Sequence, residues 1–216
     1  MKCANCKLVN YADAGSCARC GSILKNWVDR EPDSEARKSN FLRRAVICFL
    51  VCVAVIAGFY STLVFSASSL TPEEKRMTRD AIQVLEKKGF SSEVFLLKRL
   101  TVFRSNDNWL NASIEKENAY AATNFPFEIV TLYPDFFTFP VDDTERAAIL
   151  LHEAQHLMGE DEKSAYEFVW KKRKKLGWTG ESYANSVILT AVRKQTKELV
   201  PLLFVCDINP NGDCTE

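Results

Sequence analysis

The chain has 216 residues, of which 28 are basic and 28 are acidic, so its formal net charge at pH 7 is zero. It has neither the basic excess typical of nucleic-acid binding nor the acidic excess typical of disorder, and neither class is expected. The length suits one medium-sized domain with small attachments. Eight cysteines fall into three groups along the chain, and their order predicts two redox compartments.

The first four cysteines form two pairs with two residues inside each pair: Cys3 with Cys6, and Cys17 with Cys20. Each Cys-x-x-Cys turn can present two thiolates to one tetrahedral zinc ion, and Gly21 permits the tight turn after the second pair. The alternative is two disulfides, which a cytoplasmic location would disfavour. We therefore predict that residues 1–24 bind a structural zinc ion, which supplies most of the folding energy of so short a segment.

This arrangement of cysteines resembles the short zinc ribbons at the N-termini of many bacterial proteins. The resemblance implies a structural or protein-binding module, so a protein partner of the ribbon is expected. A closed four-thiolate site leaves no coordination position open for catalysis. The residues that follow, 25–44, are polar and basic, and we interpret them as a linker.

Residues 45–67 contain no charged side chain. As a helix that rises 1.5 Å per residue they would extend roughly 34 Å, enough to cross a hydrocarbon core of about 30 Å. The alternatives are a buried core helix and a cleaved signal peptide. Core helices seldom stay apolar on every face for this length, and a signal peptide would not follow a long region with its own motif. We predict a single transmembrane helix that is not cleaved.

The basic residues near the apolar run predict its orientation. Arg43 and Arg44 abut the run directly, whereas the first basic residue after it is Lys75, which lies among acidic residues. The positive-inside rule then places the N-terminus in the cytoplasm and residues 70–216 outside it. We therefore expect a single-pass membrane protein whose first partner is the lipid bilayer.

Residues 70–216 have the pattern of a globular α+β domain, mostly helical with a small sheet. Thr71 begins a helix with a capping-box sequence, and Gly89 can end it. Strands are predicted in the second half of 94–103 and in 126–134. Three further helices are predicted at about 143–158, 160–175 and 180–198.

His152 and His156 are the only histidines of the chain, and they lie four positions apart in a predicted helix. At that spacing they are about 40° apart around the helix, so both imidazoles can reach one ion. With Glu153 they form the His-Glu-x-x-His pattern, in which zinc activates a water molecule and the glutamate takes its proton. The alternative is a surface helix that carries two histidines by chance. The apolar residues 147–151 bury one face of the helix and favour a site.

A third metal ligand must be a carboxylate or a thiolate, since no other histidine exists. Four carboxylates follow closely: Glu160, Asp161, Glu162 and Glu167. The thiols of Cys206 and Cys214 match each other better, because they flank a loop rich in turn-forming residues. Outside the cytoplasm these two are expected to form a disulfide, and the alternative is two free thiols.

The stretch from His152 to His156, followed by Glu162-Lys163-Ser164-Ala165, resembles the gluzincins, zinc metallopeptidases of the zincin class whose third ligand is a glutamate. The resemblance covers roughly residues 118–175 and implies an α+β zincin-like domain. It implies these roles: zinc ligands His152, His156 and Glu162, general base Glu153, and oxyanion stabiliser Tyr166 or Tyr183. It also implies that the strand in 126–134 lines the cleft, with an edge that pairs with an extended peptide.

One feature departs from that family. Only five residues separate His156 from Glu162, whereas many gluzincins have twenty or more at this point. The chain would have to reverse sharply at Leu157–Gly159 to bring the carboxylate back.

These patterns together predict a membrane-anchored zinc metallopeptidase that hydrolyses peptide bonds of a peptide or protein substrate. Two zinc ions are expected, one catalytic in the outer domain and one structural in the ribbon. The competing prediction is a non-catalytic membrane sensor or assembly protein that binds zinc in a zincin-like domain.

Overall fold

The computed structural model describes residues 1–24, 34–110, 112, 120–207 and 213–215, with the backbone alone for 34–39. It divides into two compact units, Met1–Ile56 and Ala57–Glu216. Residues 25–33, the first part of the predicted linker, lie outside the described residues.

The N-terminal segment consists of two similar turns. In the first, the amide of Lys7 donates to the carbonyl of Cys3 at 3.0 Å, and in the second Gly21 donates to Cys17 at 2.9 Å. Both donors have left-handed backbone angles, with φ of 61° at Lys7 and 66° at Gly21. The buried centre is formed by Cys3, Cys17 and Leu24. So small an apolar centre cannot by itself offset the conformational entropy lost on folding.

The next element is α1 (Ser34–Ser66), which begins well before the predicted span. Residues 34–44, which the sequence placed in the linker, are therefore helical. Within α1, Asn40–Ser66 is long and apolar enough to cross a membrane. Residues 40–59 are exposed throughout, and an exposed apolar helix of this length fits a lipid-facing span better than a core helix.

Six helices follow in the described part of the second unit. They are α2 (Pro72–Lys87), α3 (Ser91–Arg99), α4 (Pro134–Thr138), α5 (Asp143–Leu157), α6 (Glu162–Leu176) and α7 (Val187–Leu199), with a short 3-10 helix at Pro201–Phe204. The predicted capping box of α2 is confirmed, because the Thr71 amide donates to Glu74 Oε2 at 2.7 Å and the Glu74 amide donates to Thr71 Oγ1 at 3.2 Å. Gly89, with φ of 72°, ends this helix as predicted.

A three-stranded sheet contains β1 (Val102–Arg104), β2 (Ala121–Asn124) and β3 (Ile129–Leu132) in the order β1-β3-β2. β3 is parallel to β1 and antiparallel to β2, with Ala121 opposite Leu132. The strand predicted in 126–134 is thus the central one, and all its residues are buried. The prediction that its edge pairs with a peptide is wrong, because both of its edges are already hydrogen-bonded. The edge position belongs to β2, which the sequence analysis did not identify.

Helix α5 lies at the centre of the domain and packs against α2, α6 and β2. Its apolar side chains Leu150 and Leu151 are completely buried. Near its start the buried carboxylate of Glu145 accepts hydrogen bonds from Trp178 Nε1 at 3.1 Å and from the Val141 amide at 3.0 Å. These contacts fix α5 firmly, and its last two turns carry both histidines.

Candidate metal centres

The four N-terminal cysteines come together in one cluster. Cys3 Sγ lies 3.7 Å from Cys20 Sγ, and Cys6 Sγ lies 3.4 Å from Cys17 Sγ. All four sulfur atoms lie within 4.8 Å of one another. A tetrahedron with metal–sulfur distances of about 2.3 Å places its sulfurs about 3.8 Å apart, so the cluster can hold one metal ion.

Hydrogen bonds from nearby groups lower the pKa of two thiols in this cluster. The amides of Arg19 and Cys20 lower the pKa of the Cys17 thiol to about 6, because they donate hydrogen bonds to its thiolate. The pKa of Cys20 is lowered as well, chiefly by hydrogen bonds from Ser22. The deprotonated sulfur that a metal requires is therefore favoured at Cys17 and Cys20. The pKa of Cys6 is raised instead, because the Leu8 amide lowers it less than the neighbouring thiols and burial together raise it.

In the second unit, a short turn reverses the chain between α5 and α6. Gly159 adopts φ of 86°, and the Glu160 amide donates back to the carbonyl of Gln155 at 3.0 Å. The Asp161 carboxylate then caps α6 by accepting from the Ser164 amide at 2.8 Å. Glu162 is the first residue of α6, so the sharp reversal brings it beside the end of α5.

The reversal places three donor atoms close together. His152 Nε2 lies 3.1 Å from His156 Nε2 and 3.2 Å from Glu162 Oε2, while His156 Nε2 lies 3.4 Å from Glu162 Oε1. Metal–ligand distances of about 2.0–2.1 Å in a tetrahedron give donor separations of about 3.3–3.4 Å. The three side chains therefore lie about as far apart as three corners of a tetrahedron require, with a different Glu162 oxygen nearest to each histidine. Among the described residues no other His, Cys, Asp or Glu joins this group, so they supply three donor groups to it.

The other carboxylate candidates are engaged elsewhere or lie outside this group. Asp161 caps α6, and the carboxylate of Glu167 pairs with Lys171. Glu160 contributes its backbone carbonyl, which accepts a hydrogen bond from His156 Nδ1 at 2.9 Å. That bond fixes the ring so that Nε2 faces the other donors, the usual way in which an outer contact orients a metal-binding histidine.

The electrostatics of the group favour a cation. The Glu162 carboxylate raises the pKa of His156 to about 9, against the opposing effect of burial. In return, hydrogen bonds from His152 and His156 hold the pKa of Glu162 well below its usual range. The carboxylate is thus charged at neutral pH, and a metal ion would take the place that the histidine proton occupies.

Glu153 lies beside these donors, and its carboxylate contacts the edge strand β2. Its side chain is almost fully buried, and Oε2 accepts a hydrogen bond from Thr123 Oγ1 at 2.7 Å. Thr123 belongs to the edge strand β2, so the sheet holds the carboxylate in place. This contact could not be predicted from the sequence, because Ala121–Asn124 is too short and too poor in β-branched residues to be identified as a strand.

A cleft of about 360 Å³ opens between β2 and the turn that joins α5 to α6. Ala121, Ala122, Thr123 and Phe125 line one side of it, and Glu153, His156, Gly159, Glu160 and Glu162 line the other. Two of the three predicted ligands, His156 and Glu162, therefore face the same cavity as the predicted base.

The two tyrosines proposed from the family resemblance lie in different places. The Tyr166 ring packs 4.4 Å from the His152 ring, measured between centroids, and its hydroxyl donates to Gln195 on α7. The Tyr183 hydroxyl donates to Asp142 Oδ2 at 2.7 Å, at the beginning of α5. Asp142 precedes His152 by ten residues, about 15 Å along the helix, so the structure does not bring Tyr183 to the site.

Cys206 and Cys214 form a disulfide, with 2.03 Å between their sulfur atoms. The disulfide closes a loop within the C-terminal segment. The neighbouring Asp213 attaches this segment to α6, because its carboxylate pairs with Arg173 at 2.8 Å and accepts a hydrogen bond from Trp170 Nε1 at 3.0 Å. Both Asp213 and Arg173 are buried. The cysteines thus differ in state along the chain, bonded at the C-terminus and free in the N-terminal cluster.

Comparisons with known proteins gave no match: no family model, no curated protein and no solved structure is significantly similar to this chain. The resemblance to gluzincins therefore depends on the short sequence motifs and on the local geometry described above.

Proposed function

We propose that this chain is a membrane-anchored zinc metallopeptidase. The observation that carries the proposal is the spacing of His152, His156 and Glu162, whose nearest donor atoms lie 3.1 to 3.4 Å apart, beside a cleft that His156, Glu162 and the buried Glu153 line. Two imidazoles and one carboxylate with a fourth position open are the ligand set of catalytic rather than structural zinc. Zinc bound there would polarise a carbonyl and lower the pKa of a coordinated water toward about 7.

Glu153 is the residue we assign as the general base. Its carboxylate can accept the proton of the attacking water and deliver it to the leaving amine. The Thr123 hydroxyl occupies Oε2, which leaves the other carboxylate oxygen for this exchange. Burial of Glu153 keeps bulk water away from the carboxylate.

The position of the edge strand β2 favours a polypeptide as the substrate. One side of β2 pairs with β3, and no strand in the described part of the chain pairs with its other side, which borders the cleft. An exposed strand edge can bind an extended peptide through backbone hydrogen bonds. The small side chains of Ala121 and Ala122 leave room for such a peptide beside the metal ligands.

The location we propose is a membrane crossed once by α1, with the N-terminus in the cytoplasm and the second unit outside it. The charge distribution around the apolar run supports this orientation, since Arg43 and Arg44 precede it directly. The cysteines agree with it, because free thiols in the N-terminal cluster and a disulfide at the C-terminus suit opposite redox conditions. We assign zinc to the cysteine cluster in a structural role, with a protein as its expected partner.

The test is metal content and cleavage with the full chain in detergent micelles. We expect two zinc ions per chain and hydrolysis of members of a broad peptide library. Glu153→Gln should keep both zinc ions and lose cleavage. If the wild-type chain binds two zinc ions but cleaves no peptide, the proposal is rejected in favour of a zinc-binding membrane sensor or assembly protein. If the second unit binds no zinc, both are rejected.

A further inference from the structure

The last turns of α1 belong both to the uncharged run and to the folded domain. The uncharged run covers residues 45–67, but from Tyr60 onward α1 contains residues that are partly or fully buried, and Leu63 is completely buried. The exposed part of the uncharged run, 45–59, is only about 22 Å long as a helix. A hydrocarbon core is about 30 Å thick, so the last turns of α1, with the domain beside them, would be needed to complete the crossing.

Direct contacts hold the domain against these last turns. The Trp109 ring lies 5.7 Å from the Phe59 ring, and its Nε1 donates to Thr62 Oγ1 at 3.3 Å. The Phe127 ring lies 5.3 Å from the Phe59 ring on the same stretch of helix. Arg104 Nε donates to the carbonyl of Val64 at 3.1 Å. All these contacts lie within the second unit, so the last turns of α1 are part of the domain itself.

Large apolar side chains around these contacts remain exposed. We call Phe65, Trp109, Leu110 and Phe125 the aromatic rim, and their exposed fractions are 84%, 51%, 38% and 58%. Trp and Phe side chains of this kind are common where a protein meets the headgroup layer, because their rings tolerate the boundary between hydrocarbon and water. In water the same side chains would form an unfavourable exposed patch.

The aromatic rim reaches the candidate catalytic cleft. Phe125 lines the cleft and lies against Gly159, where an added Cβ would stand 3.7 Å from the Phe125 ring. Phe127, which contacts α1, is two residues away, in a turn closed by the bond from the Phe127 amide to the Asn124 carbonyl at 2.9 Å. One turn therefore connects the helix contact to the wall of the cleft.

We propose that the aromatic rim inserts into the interfacial layer of the lipid bilayer and that the cleft opens at the membrane surface. The partner of this surface is the bilayer itself. A further consequence, which rests on the proposed peptidase activity, concerns the substrate class. The polypeptides that reach the cleft are those held at the membrane, cut close to their point of attachment.

The lipid contact can be tested by fluorescence of the full chain in phosphatidylcholine–phosphatidylglycerol vesicles whose acyl chains carry bromine at a shallow or a deep position. The difference between wild type and Trp109→Phe isolates the signal of Trp109. We expect strong quenching by shallow bromines and weaker quenching by deep ones. Trp178→Phe is the matched control, because Trp178 is completely buried and its difference signal should be insensitive to both lipids. If the Trp109 signal is quenched by neither lipid, the proposal is overturned.

A second measurement tests the substrate class with one cleavable peptide sequence attached to an acyl anchor through spacers of different length. If the cleft opens at the membrane surface, a spacer of about five residues, about 17 Å when extended, should be long enough for full cleavage. Cleavage that starts only with spacers of ten residues or more would overturn a cleft at the surface. If no peptide is cleaved while Trp109 is still quenched, the peptidase proposal fails and the membrane contact stands.

Discussion

The cysteine cluster and the cluster of His152, His156 and Glu162 each hold their donor atoms within 4.8 Å of one another. Their surroundings differ. The cysteines lie on two turns with a very small apolar centre, whereas the other three ligands lie on two helices that belong to a full hydrophobic core. In the first region a bound metal would provide most of the folding free energy, whereas in the second the hydrophobic core holds the candidate ligands in place.

This difference accounts for the coordination each region can offer. A segment that depends on its metal must satisfy all coordination positions itself, and four thiolates do so. A site on a preformed scaffold can leave one position open, since its stability comes from residues such as Leu150 and Leu151 rather than from the ion. An open position is what catalysis requires.

The largest expected effect is that of metal removal on the two regions. After chelation together with a thiol-reactive mercurial, residues 1–24 should unfold completely, because structural zinc contributes about 10–16 kcal/mol in comparable small modules. Hydrogen exchange measured by mass spectrometry should show loss of protection at the amides of Cys3 and Cys17, which bond to Leu8 and Ser22 at 2.8 Å. Peptides from α5 should keep their protection. Protection that persists at both amides would show that the ribbon folds without metal.

Glu153→Gln should have the next largest effect, and we expect it to change the catalytic rate but not metal binding or stability. Loss of a general base lowers kcat by about 10²–10⁴-fold, while zinc content and the unfolding temperature should stay close to wild type. Steady-state cleavage rates and metal analysis on the same preparation measure both. Activity within a factor of about three of wild type would remove Glu153 from the mechanism.

Glu162→Ala should weaken zinc binding in the second unit by about 100-fold or more, beyond the 10–100-fold typical of outer contacts, because it removes a direct ligand. The ribbon zinc should remain. Glu167→Ala is the matched control, since Glu167 lies on the same helix and pairs with Lys171. Competition with a chromophoric chelator gives both affinities. Equal affinities for the two variants would exclude Glu162 as the third ligand.

The disulfide provides the second unit with a covalent tie where the first relies on thiolates and metal. Replacement of both Cys206 and Cys214 by Ser should lower the free energy of unfolding by about 2–3 kcal/mol, the loop-entropy value for a short loop. The same substitutions should not change zinc stoichiometry. Chemical denaturation in detergent is the measurement, and an unchanged midpoint would show that the C-terminal segment adds nothing to stability.

The smallest effect belongs to Thr123, which we assign as a positioning residue for Glu153. Thr123→Val keeps the shape but removes the hydroxyl, and should lower kcat by about tenfold, corresponding to about 1.4 kcal/mol of one hydrogen bond to a charged group. KM and zinc content should not change. Thr123→Ser restores the hydroxyl and should restore most of the activity. If Val and Ser variants behave alike, the hydrogen bond at 2.7 Å has no catalytic role.

Features that depend on neighbours in sequence could be predicted from the sequence. The capping box at Thr71, the helix end at Gly89 and the pairing of His152 with His156 are all set within a few residues. The start of α7 was placed too early, because residues 180–186 form turns before the Ser186 cap, whose hydroxyl accepts from the Leu189 amide at 3.0 Å.

Features that depend on strand order could not be predicted. The strand predicted in the second half of 94–103 corresponds to β1, which begins only at Val102, and the residues before it form the helix α3, which packs against α2 and α5 and was not predicted. The central position of β3 and the existence of β2 follow from pairing between distant segments, which no local pattern encodes. Thr123 reaches Glu153 only because β2 forms the edge of this sheet, so this contact was missed.

The reversal at Gly159 has a consequence for folding order. All three ligands lie within residues 152–162, so the site has very low contact order and depends on one helical hairpin. Such a hairpin can form on the microsecond scale, before the slower pairing of β1 with β3 completes the sheet. The spacing of the three donor groups can therefore be set when α5 packs against α6, whereas Glu153 acquires its Thr123 contact only when β2 docks. If the proposed function holds, the metal-binding groups would be in place before the proposed base, and a partly folded chain would lack the full catalytic arrangement.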